Sequence, residues 1–189
     1  MSVERPCVLV GVTGCIAAYK AGEVVRGLQK AGVRVKVVMT EHGTHFVDPV
    51  TFRALTHEKV AVGLFDDPSD PIHHFTRPEC DVFLSRVHGN VMAKVACGIA
   101  DDCCHHGPGD HGDADAPAAN VHMYEAAATQ ENMATLRRRG VRFIEGRGLS
   151  GLRRCGRGRL ADPAVIVRET LALLAERVGL DALRGRAAR

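Results

Sequence analysis

The chain has 189 residues, of which 25% are charged and 46% hydrophobic. That is enough for one domain with a full core, and no run nears the eighteen apolar residues a membrane helix needs. The net charge of +3 conceals two unlike parts: residues 1–136 carry 11 basic and 17 acidic side chains, residues 137–189 carry 14 and 5, and every cation of the second part is arginine.

The first predicted elements come from "VLVGVTGCIAAYKAG", Val8 to Gly22. An apolar stretch behind Arg5 has the look of a secretory signal, but a period-3.6 pattern runs straight on from it. Ala21, Val24 or Val25, and Leu28 share one face, and Lys20, Glu23, Arg26 and Lys30 lie off it. Gly32 follows as a helix stop, then "VRVKVVM" reads as a second strand. The expectation is a strand at 7–11, a helix at 16–31 and a strand at 33–39. A signal peptide has no use for such a βαβ continuation. Gly11-Val-Thr-Gly14 closes the first strand. Glycines allow a tight turn, Thr13 offers a hydroxyl, and the next helix points N–H groups outward. The turn is neither GxGxxG nor a P-loop, so by itself it fits plain structure as well as a phosphate site.

Further along, the pattern predicts a helix at 43–56, a short strand at 60–65, a strand at 81–85 and a helix at 90–104. The polar stretch "HHGPGDHGDADAP" (His105–Pro117) follows. A helix at 125–139 stopped by Gly140, a strand at 141–146 and a Gly/Arg loop at 146–160 come next. The last helix, 163–178, has Asp162 as its cap, Pro163 at its first position and a stripe of Val167, Leu171, Leu174 and Val178. Alternating strands and helices specify an α/β fold, a doubly wound parallel sheet in a single domain spanning 1–189. Such folds take ligands at the carboxyl ends of their strands.

Cys103, Cys104, His105, His106, Asp110 and His111 are clustered, yet without CxxC or HxxxH spacing, and Gly-Pro-Gly interrupts them. That is read as a polar loop and no metal site. Seven cysteines, an odd number without a signal, read as reduced thiols in a cytoplasmic protein. No tryptophan, eight aromatics and no recognition motif argue against nucleic acid as a partner. An anionic partner or a peptide carboxylate suits the arginine-rich part better.

Three more stretches follow the first turn in order: "VVMTEHGTHFVDPVTFRALT" (Val37–Thr56), "GNVMAKVACGIADD" (Gly89–Asp102) and "PAANVHMYEAAATQENMATLRRRGV" (Pro117–Val141). With the turn, they resemble the flavin-dependent cysteine decarboxylase family over about residues 7–165. That family includes phosphopantothenoylcysteine decarboxylase and the peptidyl-cysteine decarboxylases of lantibiotic-type pathways. The resemblance implies a flavodoxin-like (Rossmann-like) sheet binding FMN, with FAD left open, at a subunit interface of a homotrimer or homododecamer. The phosphate would sit on Gly11, Thr13, Gly14 and Ile16, with Thr40 and Phe46 near the flavin. The loop Ser85–Val91 stands where the family reads "APATANT". It supplies Ser85, His88, Gly89 and Asn90, of which only Asn90 is kept.

For chemistry the resemblance implies a histidine after the third strand. "DPIHHFT" offers His73 and His74, and the I-x-H spacing before an apolar residue selects His74. It also implies Asn120, in "PAAN", where the family reads P-x-M-N; Ala119 replaces the methionine, and Met123-Tyr124 stands for Met-Trp. Without the resemblance, His74 is a loop residue and Asn120 a turn or cap. Histidine can shuttle a thiol proton near neutral pH, and asparagine can hold a leaving carboxylate without a full charge.

In "GLSGLRRCGRGRLADP", Leu152 falls where the family's loop cysteine belongs, and Cys155 stands three residues late. This predicts oxidative decarboxylation of the C-terminal cysteine of a precursor peptide to an enethiol. Arg153, Arg154, Arg157 and Arg159 would clamp the peptide, and Asn120 and Met123 would contact it. The alternatives are the coenzyme A pathway decarboxylase and a non-catalytic flavin-binding protein of the same fold.

Overall fold

The computed structural model describes residues 5–63, 80–86, 89–99, 101, 113–146 and 158–179. Among these residues, six parallel strands form one sheet: β1 (Cys7–Val12), β2 (Arg34–Met39), β3 (Val60–Ala61), β4 (Val82–Arg86), β5 (Asp113–Asp115) and β6 (Arg142–Phe143). Their order is β3-β2-β1-β4-β5-β6. This is the Rossmann order; without the two-residue edge strand β3 it becomes the flavodoxin-like one. In both, the order reverses between β1 and β4, and the ligand crevice opens there.

The first βαβ unit forms as the apolar period predicts. A 3-10 helix (Ile16–Lys20) leads into α1 (Ala21–Lys30), and β1 pairs in parallel with β2 from Cys7↔Arg34 to Val12↔Met39. Ala21, Val24, Val25 and Leu28 are all fully buried. They pack with Val8, Val10, Val12, Val35 and Val37 in the larger core, on one face of the sheet. The predicted helix at 43–56 is two helices, α2 (Glu41–Thr44) and α3 (Pro49–Thr56). Asp48 and Pro49 make the break, because Asp48 caps α3 through Val50 N–H and Pro49 sits at its first turn.

On the other half, α4 (Gly89–Cys97), α5 (Val121–Glu125) and α6 (Ala127–Arg138) follow β4 and β5. Val91, Met92, Met133 and Leu136 of α4 and α6 form a second apolar cluster. The polar "GDADA" still yields a strand, three residues long and paired on both sides, through Ser85↔Asp115 and Asp115↔Phe143. β6 is shorter than the predicted 141–146 because Glu145 turns away to bridge Leu160 in antiparallel sense.

The last helix, α7 (Pro163–Val178), has the predicted bounds, with Asp162 accepting from Ala164 N–H at 2.9 Å. Its fully buried face is Ile166, Thr170, Leu173 and Leu174, rotated from the predicted stripe; Val167, Leu171 and Val178 are only partly buried. Thr170 can face the core because its hydroxyl donates to Ile166 C=O at 2.8 Å.

The reduced-thiol expectation is corrected for one pair: Cys7 and Cys80 form a disulfide. Parallel pairing of β1 with β4 brings them together, Asp81 N–H donating to Cys7 C=O and Cys7 N–H to the Asp81 carboxylate. Cys15 and Cys97 are free thiols. Among the described residues no helix is long and apolar enough to cross a membrane, and no group of His, Cys, Asp or Glu could hold a metal ion.

Candidate functional site

The carboxyl ends of β1, β2 and β4 converge on the switch point. Gly11 is in register with Val38 on one side and Ser85 on the other. A Cβ on Gly11 would lie 2.9 Å from the Phe83 ring, so the strand passes too close for a side chain. Past Val12 the chain turns: Cys15 N–H donates to Thr13 C=O at 2.9 Å, and Ala18 N–H to Cys15 C=O at 2.8 Å. Thr13 is buried, whereas Ile16 at the start of the 3-10 helix is 83% exposed.

The far wall of this turn is α2. A Cβ on Gly14 would meet His42 Cβ at 2.7 Å and the His42 carbonyl at 3.0 Å. Thr40 locks the wall in place. Its N–H donates to Val12 C=O at 3.0 Å, and its Oγ1 accepts from Gly43 N–H at 3.1 Å as the cap of α2. Phe46, just beyond α2, is half exposed, with its N–H bonded to Gly43 C=O.

Ser85 closes the floor. It is 2% exposed, and its Oγ has no hydrogen-bond partner. A buried hydroxyl without a partner costs about 1–3 kcal/mol unless a ligand satisfies it. Gly89 and Asn90 open α4 a few residues later, the asparagine exposed. His88 and the candidate catalytic His74 lie outside the described residues, as do Leu152, Cys155 and three of the four clamp arginines.

A second group occupies the carboxyl side of β5. Ala116 N–H donates to Ser85 C=O, carrying the chain across to Pro117–Asn120. Asn120 caps α5, its Oδ1 accepting from His122 N–H at 3.0 Å. With Oδ1 so engaged, the NH2 of Asn120 is the half suited to a ligand carboxylate. Met123 is 49% exposed on α5. Ala119 N–H donates to Gly158 C=O at 2.8 Å, which seats the stem of the Gly/Arg loop beside Asn120. Gly158 has φ of 89°, and a Cβ there would strike Tyr124 and the Ala119 carbonyl, so glycine is required on both counts. Arg159, next in the chain, is exposed.

Of the predicted residues, the structure therefore gathers Gly11, Thr13, Gly14, Thr40 and Ser85 around one crevice. Asn120, Met123 and Arg159 form a neighbouring group on the same edge of the sheet. Two residues escaped sequence reasoning. Asp115, 7% exposed, ends β5 in register with Ser85, one strand beyond the switch point; the Asp-Ala-Asp alternation was its signal. His42 walls the glycine turn, and only tertiary contact reveals it. A cavity of about 890 Å³ lies at the outer edge, lined by Arg142, Glu145, Arg168 and Glu176 among others. The hydrogen bond from Arg142 holds the Glu176 carboxyl below its ordinary range. None of the predicted site residues lines that cavity.

A family model described as Flavoprotein matches residues 1–175. The coenzyme A biosynthesis bifunctional protein CoaBC of Bacillus subtilis (strain 168) is 38% identical over 171 residues, covering 85% of this chain and 41% of its own length. The CoaBC of Escherichia coli (strain K12) is 37% identical over 177 residues, covering 88% and 43%. The chain thus spans about two fifths of these relatives' length. Among solved structures, the FMN binding protein AtHal3 superposes with a TM-score of 0.75 at 25% identity, over 92% of this chain and 98% of that one. A PPC decarboxylase mutant complexed with pantothenoylaminoethenethiol gives 0.72 at 25% identity, over 92% and 100%. The FMN-dependent cysteine decarboxylase SpaF, at 24% identity, 0.72, and 97% and 98% coverage, shares the fold.

Proposed function

Because the chain belongs to the Flavoprotein family, we propose that it is an FMN-dependent decarboxylase of an amide-linked cysteine, with phosphopantothenoylcysteine as the substrate. The observation that carries this reading is the likeness to CoaBC at 37–38% identity across more than four fifths of the chain. The crevice fits a flavin nucleotide. Gly11 and Gly14 leave backbone where side chains would intrude, and the unpartnered Ser85 Oγ offers a buried hydroxyl to a polar ring edge. The exposed apolar side chains Ile16, Tyr19, Phe46 and Val50 beside it suit a contact between subunits of a homo-oligomer.

Bound flavin would supply a reversible two-electron acceptor: oxidising the cysteine thiol to a thioaldehyde creates the C=S that receives the departing carboxylate's electrons, and returning the same two electrons with a proton gives the saturated thiol when CO2 alone is lost. The protein's own part is to bind and orient. Asn120 holds the carboxylate through its NH2 while Oδ1 stays on the α5 cap, so the amide cannot rotate freely. A neutral donor steadies the carboxylate without anchoring its ground-state charge, as arginine would. His74 takes the thiol proton, and Met123 and Arg159 contact the rest of the substrate.

One observation favours a second reading. Leu152 stands where the resemblance expects a proton-donating cysteine, with Cys155 three residues on. A chain lacking that donor would release an oxidised enethiol from a peptide ending in cysteine, and the two electrons left on the flavin would pass to an external acceptor such as oxygen. The experiment is a mass measurement on both candidates, each incubated with the flavin-loaded chain. Loss of about 44 Da, CO2 alone, from phosphopantothenoylcysteine supports the first reading. Loss of about 46 Da from a peptide supports the second. No change in either would refute both.

A further inference from the structure

We propose that His42 is a protonatable phosphate-binding residue, which makes retention of the flavin nucleotide depend on pH. The inference rests on the flavin reading above and adds to it a residue of this chain. Backbone contact roots His42 on the glycine turn: its Cβ and carbonyl are 2.7 and 3.0 Å from the point where a Gly14 Cβ would lie. That wall has no play. Gly43 N–H is held at 2.8 Å by Thr40 C=O, Thr40 N–H is held by Val12 C=O, and a Cβ on Gly43 would lie 2.7 Å from the Val12 carbonyl.

The turn brings no cation of its own. Gly11 to Ile16 contains no lysine or arginine, so a phosphate there relies on backbone N–H groups and hydroxyls. The His42 side chain is exposed, with the His45 ring edge-on at 6.3 Å between centroids. An imidazolium rooted at this wall adds a charge-assisted hydrogen bond to the phosphate that the neutral ring does not.

Other titratable or charged groups on the packed elements are Glu41 and His45 on α2, Cys15 on the turn, Tyr19 and Lys20 on the 3-10 helix, and Arg34 and Lys36 on β2. A phosphate monoester itself gains charge near pH 6, which opposes the histidine's effect. The decisive quantity is therefore a difference between variants that all keep these groups.

The test measures FMN affinity of the full chain, stripped of flavin and reloaded, at about pH 5.5 and about pH 8.5. Riboflavin, which lacks the phosphate, is the second probe. We expect His42→Gln to weaken FMN about 5- to 10-fold at the lower pH and less than about 2-fold at the higher. His42→Lys, charged throughout, should match wild type at the lower pH and exceed it at the higher, and riboflavin should bind all three alike. Equal FMN affinity of wild type and His42→Gln at both pH values would overturn the proposal, as would an equal loss of riboflavin. If the wild-type chain binds no FMN at either pH, the flavin reading falls and this inference with it.

Discussion

Ser85 separates what folding wants from what binding wants. Its buried Oγ lacks a partner, so the flavin-free protein carries a desolvation cost of about 1–3 kcal/mol at that atom. Ser85→Ala should therefore leave the melting temperature of the flavin-free chain unchanged or higher, while weakening flavin binding; melts with and without FMN read both effects. A fall in flavin-free stability would show that Oγ is not idle. Asn120 makes the complementary case, because its amide has two jobs. Asn120→Asp keeps an oxygen for the α5 cap, and aspartate is an equally good cap residue. The variant should melt like wild type yet lose turnover at least about 100-fold, since it sets one carboxylate against another. Asn120→Ala should lose both turnover and about 1 kcal/mol of stability. Both residue types were legible from the chain: a serine at a strand end and an asparagine opening a helix. What no pattern could give is which oxygen is already engaged, because that depends on His122 N–H in one case and on emptiness around Oγ in the other.

The elements were legible where one force dominates. α1 and the first strands follow from apolar periodicity, and α7 from Asp162-Pro163, whose cap and fixed φ define a start. The predicted helix at 43–56 missed a break that Asp48-Pro49 spells out. The break at Ala126 carries no such signal, since alanine favours the helix it interrupts there at ψ of 135°. The close approach of α1 to α7 is another matter of tertiary contact. A Cβ on Gly27 would lie 2.7 Å from Val167 Cγ2, a stiff β-branched side chain. Gly27→Ala should cost about 1–3 kcal/mol despite its better helix propensity, and adding Val167→Ala should return part of that; denaturant titration of the double-mutant cycle decides. At the outer edge, Glu176 receives the Arg142 hydrogen bond and its folded pKa lies below the ordinary carboxylate value. The pair's contribution is thus present above about pH 4.3 and is lost as the pH falls through the lowered folded value. Both side chains are exposed, so Glu176→Gln should lower the melting temperature slightly at pH 7 and not at all near pH 2.

At the scale of the whole molecule, the crevice is a product of topology: β1 and β4 are neighbours whose connections leave in opposite directions. The alternation of strands and helices was enough to foresee a doubly wound parallel sheet and to place Gly11–Gly14 at the carboxyl end of its first strand, whereas the strand order that makes this the switch point appears only in the structure. The apolar side chains beside it, Ile16, Tyr19, Phe46 and Val50, are exposed in the single chain. Tyr19→Glu should shift the light-scattering mass downward and release flavin if that patch joins subunits at the site; an unchanged assembly would separate patch from interface. The three-residue β5 has a different consequence. Among the described residues it alone ties β6 to the rest of the sheet, through three register pairs on one side and two on the other. β1, by contrast, holds six pairs with β2 and five with β4. Backbone amides at Ala116 and Ile144 should therefore exchange with deuterium through a local opening of this margin, well before those of Val10 and Val37. Since Asn120 and the stem at Gly158 hang on that margin, the β5 side of the site would breathe while the glycine-turn side stays closed.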